Sequence, residues 1–83
     1  MSATKTINIK YHAMLREQRG CSDETIQTSS ATAKELYKEL ATKYSLNFSL
    51  ELLRVAINNE FREWDAGIQD SDTVIFIPPV SGG

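Results

Sequence analysis

Cysteine and histidine are each present only once in this 83-residue sequence, as Cys21 and His12. A single cysteine cannot form a disulfide within the chain, which favours a reducing compartment. Cys21 has no paired cysteine or histidine nearby, and His12 has no second ligand or triad partner in the sequence, so we expect no metal site. We expect a structural or incidental role for Cys21 rather than that of a persulfide carrier, and we expect His12 to be a surface or interface residue.

Long apolar runs and an excess of basic charge are also missing. No apolar stretch approaches the ~18 residues that a membrane-spanning helix needs. Nine basic and eleven acidic residues leave a net charge of −2, so we expect neither a membrane protein nor binding to nucleic acid. Residues 1–6 contain no hydrophobic segment of the kind found in secretory signals, and the cytosol is therefore the expected location.

The composition that remains is typical of a small globular protein. Apolar residues make up 41% of the chain and charged residues 24%, which is the balance of an ordinary folded domain. A chain of 83 residues has room for one such domain. We therefore predict a single domain over residues 1–83, with no internal repeat or linker.

Apolar alternation and turn residues predict five strands and one long helix. The predicted strands span residues 6–11, 24–28, 52–57, 61–64 and 74–77, with a short helical turn or loop at 13–19 that stops at Gly20. Thr32 and Glu35 match a capping box at the start of the long helix. Its predicted apolar stripe consists of Ala33, Leu36, Tyr37, Leu40 and Tyr44.

Two further details fix the expected layout. Asn58-Asn59 tolerates the positive φ of a tight hairpin between the third and fourth strands. The connections are short, which favours one mixed five-stranded sheet with the main helix packed across one face. The fold class expected from this order is α+β, in a ubiquitin-like β-grasp layout.

The last ten residues read Val-Ile-Phe-Ile-Pro-Pro-Val-Ser-Gly-Gly. The two prolines lack backbone donors, so sheet pairing should stop after Ile77, leaving residues 78–83 as a flexible tail. On a polyproline path of ~3.1 Å per residue, this tail reaches on the order of 18 Å beyond the strand. Gly82 and Gly83 have no Cβ, so the terminal carboxylate can enter a channel too narrow for other residues. The alternative is a frayed terminus without function.

A carboxylate is a poor electrophile at neutral pH, so a reaction at Gly83 requires activation. The most direct route is transfer of AMP from ATP, which gives an acyl-adenylate that a thiol, persulfide or amine can attack. This chain offers no side chains for that chemistry. The machinery is therefore expected on another protein, and we expect no cofactor bound by this chain.

The final strand is apolar on both faces, with Val74 and Phe76 on one and Ile75 and Ile77 on the other. Only one face can meet the helix. Either a loop covers the second face, or Ile77 forms a docking patch with Phe61 and Pro79 that guides the tail into a partner. We favour the docking patch.

Three segments carry a family resemblance: Leu15-Arg16-Glu17, Val55-Ala56-Ile57-Asn58-Asn59, and above all residues 68–83, from Ile-Gln-Asp-Ser-Asp-Thr to the Pro-Pro-Val-Ser-Gly-Gly end. The sequence resembles the sulfur-carrier (MoaD-type) subunits of molybdopterin synthase. The resemblance covers the whole chain loosely and the last sixteen residues most closely. One departure is Ser81, where the family more often has threonine.

The resemblance implies a function centred on the C-terminus. An ATP-dependent adenylyltransferase/sulfurtransferase related to ubiquitin-activating enzymes would adenylate Gly83 and convert it to a thiocarboxylate. The tail would then enter the large subunit of molybdopterin synthase, in a heterotetrameric complex, and donate sulfur to cyclic pyranopterin monophosphate. The residues expected to contact the partner are Phe61, Ile77, Pro78, Pro79, Val80 and Ser81.

Other functions fit the same residues. A ubiquitin-like modifier would join Gly83 to lysines of other proteins, and a carrier for thiazole synthesis would deliver sulfur elsewhere. A plain β-grasp adapter would bind its partner without covalent chemistry. The sequence leaves the choice between carrier and modifier open, because it depends on whether sulfur or an amine attacks the acyl-adenylate.

Overall fold

The computed structural model describes residues 4–79, and Val80, Ser81, Gly82 and Gly83 lie outside this range. The strands are β1 Lys5–Tyr11, β2 Asp23–Thr28, β3 Arg54–Ile57, β4 Glu60–Arg62 and β5 Thr73–Ile77. The helices are α1 Ala13–Arg19 and α2 Ala33–Tyr44, with a short 3-10 helix at Leu50–Leu52. The predicted element order is confirmed. Within residues 4–79, none of the helices has the length and apolar character to cross a membrane.

The five strands form one mixed sheet in the order β2-β1-β5-β3-β4. β1 and β5 are parallel, with Tyr11 beside Phe76, while the other neighbouring pairs are antiparallel. The C-terminal ends of β1 and β5 therefore lie at the same end of the sheet. β3 begins at that end, with Arg54 beside Ile77. The chain that follows β5 leaves the sheet between the start of α1 and the start of β3.

Helix α2 packs its predicted stripe against one face of the sheet. Ala33, Leu36, Tyr37 and Leu40 are buried in the core, and Tyr44 is half-buried. The Thr32 hydroxyl accepts a hydrogen bond from the Glu35 amide at 3.2 Å, as the capping box predicts. The reciprocal bond differs from the prediction, because the Glu35 carboxylate accepts from the amide of Ala31 at 3.1 Å rather than from that of Thr32.

Short helix α1 confirms the prediction for residues 13–19. It ends at Gly20, whose φ of 87° is in the left-handed region that glycine adopts without a Cβ clash. Leu15 is fully buried, whereas its neighbour Met14 is 57% exposed. The inward residue of this segment is therefore Leu15.

The third and fourth strands are shorter than predicted. β3 begins at Arg54 and not at Leu52, because Leu52 belongs to the 3-10 helix and is 55% exposed. β4 ends at Arg62, and Trp64 lies beyond it. The predicted Asn58-Asn59 hairpin is confirmed by φ values of 54° and 71°. The predicted strand boundaries were wrong at Leu52, which is an exposed apolar residue, and at Trp64, which packs on Phe76 from outside the sheet.

Candidate functional site

The end of β5 is held in place by a buried aromatic cluster. The Phe76 side chain is fully buried, and its ring centroid lies 5.2 Å from that of Tyr37, 6.0 Å from that of Trp64 and 6.4 Å from that of Tyr11. These rings come from α2, from the segment after β4 and from β1. Offset and edge contacts of this kind add to the free energy of apolar burial. β5 therefore fixes the position from which the chain continues beyond Ile77.

The face of the sheet opposite α2 carries an apolar surface beside this point. Cross-strand partners share a face, and Ala56 pairs with both Ile75 on β5 and Phe61 on β4. We call Ala56, Phe61, Ile75 and Ile77 the outer patch. Ala56 is only 6% exposed because its larger neighbours flank it, while Phe61 is 63% exposed. Ile75 and Ile77 are half-buried.

A charged residue borders the outer patch. Arg54 follows the 3-10 helix and lies beside Ile77 in the register of β3 and β5. Its guanidinium carbon is 4.6 Å from the centroid of the Phe61 ring. Such a cation–π contact stabilises the stacked position of the guanidinium over the ring. Arg54 was not among the residues predicted from the sequence. Its position two residues before Ala56 places both side chains on the same face of β3.

The predicted partner-binding residues do not share one environment. Phe61 and Ile77 lie together on the outer patch, and Pro79 is exposed after it. Pro78 is buried, so the folded body extends one residue into the predicted tail. Val80 and Ser81, and the predicted reactive pair Gly82 and Gly83, lie outside the described residues, and their roles stay predictions.

A polar cluster that was not predicted from the sequence holds α1 against β1 and β2. Arg19 at the end of α1 donates two hydrogen bonds to the Glu24 carboxylate of β2, at 2.9 and 2.7 Å. The Tyr11 hydroxyl donates to the same carboxylate at 2.6 Å. The Arg19 guanidinium also lies 3.6 Å from the centroid of the Tyr44 ring. Arg19 thus joins side chains from two helices and two strands, because it contacts Glu24 and Tyr44 and shares the Glu24 carboxylate with Tyr11.

The cluster shifts the titration of its members. The hydrogen bonds from Arg19 hold the pKa of the Glu24 carboxyl below its usual value, and the bond from Tyr11 acts in the same direction. Burial raises the pKa of Tyr11, and the negative charge of Glu24 raises it further. Tyr11 therefore remains a neutral donor and Glu24 a charged acceptor at neutral pH.

This shift predicts a pH-dependent contribution to stability. Because the folded pKa of Glu24 is depressed, its contribution is present above the unfolded pKa of about 4.3 and is lost as pH falls through the folded pKa. Glu24→Gln should therefore lower the free energy of unfolding at pH 7, and its deficit should narrow toward pH 3. Urea unfolding at both pH values measures this.

Glu17→Gln, which changes an exposed carboxylate on α1, is the matched control and should leave stability nearly unchanged. If Glu24→Gln and the parent lose stability in parallel as pH falls, the cluster does not act as described.

His12 and Cys21 lie near the same polar cluster but show no constellation for catalysis. His12 is exposed, and its backbone carbonyl accepts from the Leu15 amide at the start of α1. Cys21 is half-buried and is a free thiol. Among residues 4–79, no three His, Cys, Asp or Glu side chains are grouped closely enough to hold a metal ion.

Solved structures of similar proteins share this fold. Small archaeal modifier protein 1 of Haloferax volcanii has 20% identity and a TM-score of 0.77, over 92% of this chain and 99% of that one. A Helicobacter pylori chain from the complex of subunits 1 and 2 of molybdopterin-converting factor has 23% identity and a TM-score of 0.63, over 94% and 99%. At these identities the likeness concerns the fold alone. It agrees with the strand order and confirms the predicted ubiquitin-like β-grasp.

Sequence comparison gives a closer relation. The molybdopterin synthase sulfur carrier subunit of Haemophilus influenzae is 30% identical over 80 residues, which cover 93% of this chain and 99% of that protein. The sequence profile described as the ThiS family matches residues 9–83, from the middle of β1 to the last glycine. The chain therefore belongs to the ThiS family.

Proposed function

We propose that this chain is the sulfur carrier subunit of a molybdopterin synthase and that the C-terminal carboxylate of Gly83 carries the sulfur. The observation on which this rests is the junction at β5. A strand anchored by the buried Phe76 continues directly into Pro-Pro-Val-Ser-Gly-Gly at the end of the sequence. The name of the Haemophilus influenzae relative, which matches over nearly its full length, supports the same function.

The first step is activation on a partner enzyme related to ubiquitin-activating enzymes. The Gly83 carboxylate attacks the α-phosphorus of ATP, pyrophosphate leaves, and an acyl-adenylate forms. A sulfur nucleophile then attacks the acyl carbon, and AMP leaves. Where a persulfide is the donor, the product is an acyl disulfide, and a thiol that attacks the donor's sulfur breaks its S–S bond, forms a new disulfide and releases Gly83 as a thiocarboxylate. Gly82 and Gly83 suit this step because the carboxylate must enter an active site beside ATP, and neither residue adds a side chain.

The second step is transfer of the sulfur in a complex with the large subunit. A thiocarboxylate is ionised at neutral pH and is a softer nucleophile than a carboxylate, so it can attack a carbon of cyclic pyranopterin monophosphate and displace an oxygen from that carbon, which leaves as a phosphate oxygen or as water. Hydrolysis of the acyl–sulfur bond returns Gly83 to a carboxylate. Two such turnovers supply the two sulfurs of the dithiolene. This chain acts as the small subunit of a sulfurtransferase and supplies its terminus rather than a catalytic side chain.

The outer patch is the proposed docking surface for this complex. Phe61 and Ile77 lie on the sheet face that α2 leaves open, next to the exposed Pro79. An exposed aromatic ring on an apolar surface is typical of a binding anchor. Val80 and Ser81 would then follow Pro79 into the partner's cleft. The known complex of two molybdopterin-converting factor subunits from Helicobacter pylori supports a partner of this kind.

The alternative is a protein modifier, whose fold, tail and adenylation would be the same. The archaeal modifier resembles this chain in fold only, at 20% identity. The name of the 30% identical relative favours the carrier. A sulfur carrier for thiazole synthesis is a further alternative, and it differs in the acceptor of the sulfur.

Reconstitution from purified components tests the proposal. The chain is incubated with the adenylating enzyme of the same organism, ATP and a sulfur donor, and then with the large subunit and cyclic pyranopterin monophosphate. We expect formation of the dithiolene product in proportion to the thiocarboxylated chain added. Thiocarboxylation without product in the presence of the large subunit would contradict a role in molybdopterin synthesis.

A further inference from the structure

Arg54 holds a fixed positive charge at the edge of the outer patch. Its guanidinium carbon lies over the exposed Phe61 ring, 4.6 Å from the centroid, and its backbone lies beside Ile77. A guanidinium has five N–H donors, and contact with an aromatic ring does not use them as hydrogen bonds to an oxygen would. The Phe61 ring thus positions a planar cation beside the point where the tail leaves the sheet.

No carboxylate in the described part of the chain forms an ion pair with Arg54. Over residues 4–79 the only ion pair joins Arg19 and Glu24. The neighbours of Phe61 on β4, Glu60 and Arg62, alternate to the opposite face of the sheet. The N–H groups of Arg54 are therefore available to bind a partner, although the chain as a whole has a net charge of −2.

Lys10 is another basic residue on the outer face. It pairs in register with Ile75 on one side and with Asp23 on the other, so a carboxylate lies across from it on the same face. Near Arg54, the side chains of Glu51 and Glu63 line the same surface depression, but neither forms an ion pair with its guanidinium. Arg54 is therefore the cation beside Phe61 and Ile77 whose N–H groups a partner's carboxylate can reach.

We infer that the partner surface facing the outer patch places a carboxylate against Arg54, and that this residue determines which partner is accepted. The inference rests on the proposed function, and the partner is the large subunit of molybdopterin synthase. Its contact surface is apolar opposite Phe61 and Ile77 and carries an Asp or Glu opposite the guanidinium edge. The carboxylate can accept two parallel N–H bonds from that edge.

The same charge rejects unsuitable partners. Docking against the outer patch removes water from around Arg54, and a partner without an anion at this position leaves a desolvated cation unpaired. An apolar surface alone is therefore a poor match. Stacking on Phe61 already restricts the side chain, so less rotamer entropy is lost when the carboxylate binds.

Binding of the purified large subunit to Arg54 variants, measured at several salt concentrations, tests the inference. Arg54→Gln should weaken binding by about 30-fold or more and flatten the dependence of the dissociation constant on salt. Arg54→Lys should recover only part of the affinity because lysine lacks the planar fork. Lys38→Gln, an exposed change on the opposite face of the domain, should alter neither quantity.

Phe61→Leu removes the aromatic ring under Arg54 and keeps the positive charge. It should weaken binding while the salt dependence persists, because Arg54 is still present. If Arg54→Gln binds like the parent, or weakens without any change in salt dependence, the carboxylate is absent and the inference is overturned while the carrier function stands. If the parent itself does not bind the large subunit, both the inference and the proposed function are wrong.

Discussion

Deletion of Gly83 is expected to abolish sulfur transfer without changing the stability of the fold. The carboxylate would then belong to Gly82 and lie one residue short, up to ~3.6 Å, of the position where it is adenylated. Chemistry that depends on aligned reacting atoms does not tolerate such a displacement. Gly83 lies outside the described residues, whose buried positions extend to Pro78, and we expect the contacts of the core and the sheet to remain in the deleted chain.

Urea unfolding and the rate of pterin sulfuration measure the two halves of this prediction. A chain extended by one residue past Gly83 is the matched control, because it keeps both glycines but moves the carboxylate outward. It should be equally stable and equally inactive. Sulfuration at the parent rate by the deleted chain would exclude Gly83 as the carrier.

Replacement of Gly82 by valine is expected to slow adenylation, sulfur transfer or both, with folding unchanged. The terminal carboxylate stays chemically intact in Gly82→Val. The branched side chain, however, adds bulk and restricts the backbone at the position that we propose to pass through the narrowest part of the partner's channel. Misplacing the reacting atoms by ~1 Å costs on the order of a hundredfold in rate.

Docking variants give the contrast that makes this prediction specific. Phe61→Ala and Ile77→Ala remove apolar area from the outer patch, so they should weaken binding, and an excess of the large subunit should restore much of the lost rate. The same excess should not restore Gly82→Val, because its defect arises after binding. Normal thiocarboxylation and turnover of Gly82→Val would argue that the glycines are not required for clearance, and would favour a plain adapter.

Local patterns predicted most of the fold because each has one physical cause. The alternation from Thr6 to Tyr11 produced β1, and the Thr32 hydroxyl caps α2 as expected. Asn58 and Asn59 adopt the positive φ values of the hairpin. In each case the relevant partner lies within a few residues of the chain, so the sequence alone contains the information.

The errors arose where distant contacts decide the local structure. Leu52 and Trp64 have the residue types of strands, yet Leu52 lies in a 3-10 helix, and Trp64 stacks on Phe76 from outside the sheet. Apolar pattern does not separate these roles from strand positions, because the residue type is the same whether the side chain is exposed, as in Leu52, or packs from outside the sheet, as in Trp64.

The two polar features that the sequence analysis missed also depend on tertiary structure. Glu24 gains Tyr11 and Arg19 only when β1, β2 and α1 pack together. Arg54 is placed over Phe61 only by the pairing of β3 with β4. The reactive end stays a prediction from the sequence, which is based on the absence of side chains at Gly82 and Gly83.

The intact mass of this chain tests the central claim most directly, when the chain is isolated from its native cells without denaturants or added reductants. A carrier is expected to include a population whose mass corresponds to one sulfur in place of one oxygen, and this population should disappear when Gly83 is deleted. Fragmentation should locate the sulfur at the C-terminus. A chain found only with its ordinary carboxylate, or joined through Gly83 to lysines of other proteins in a ladder of conjugates, would contradict the sulfur-carrier account.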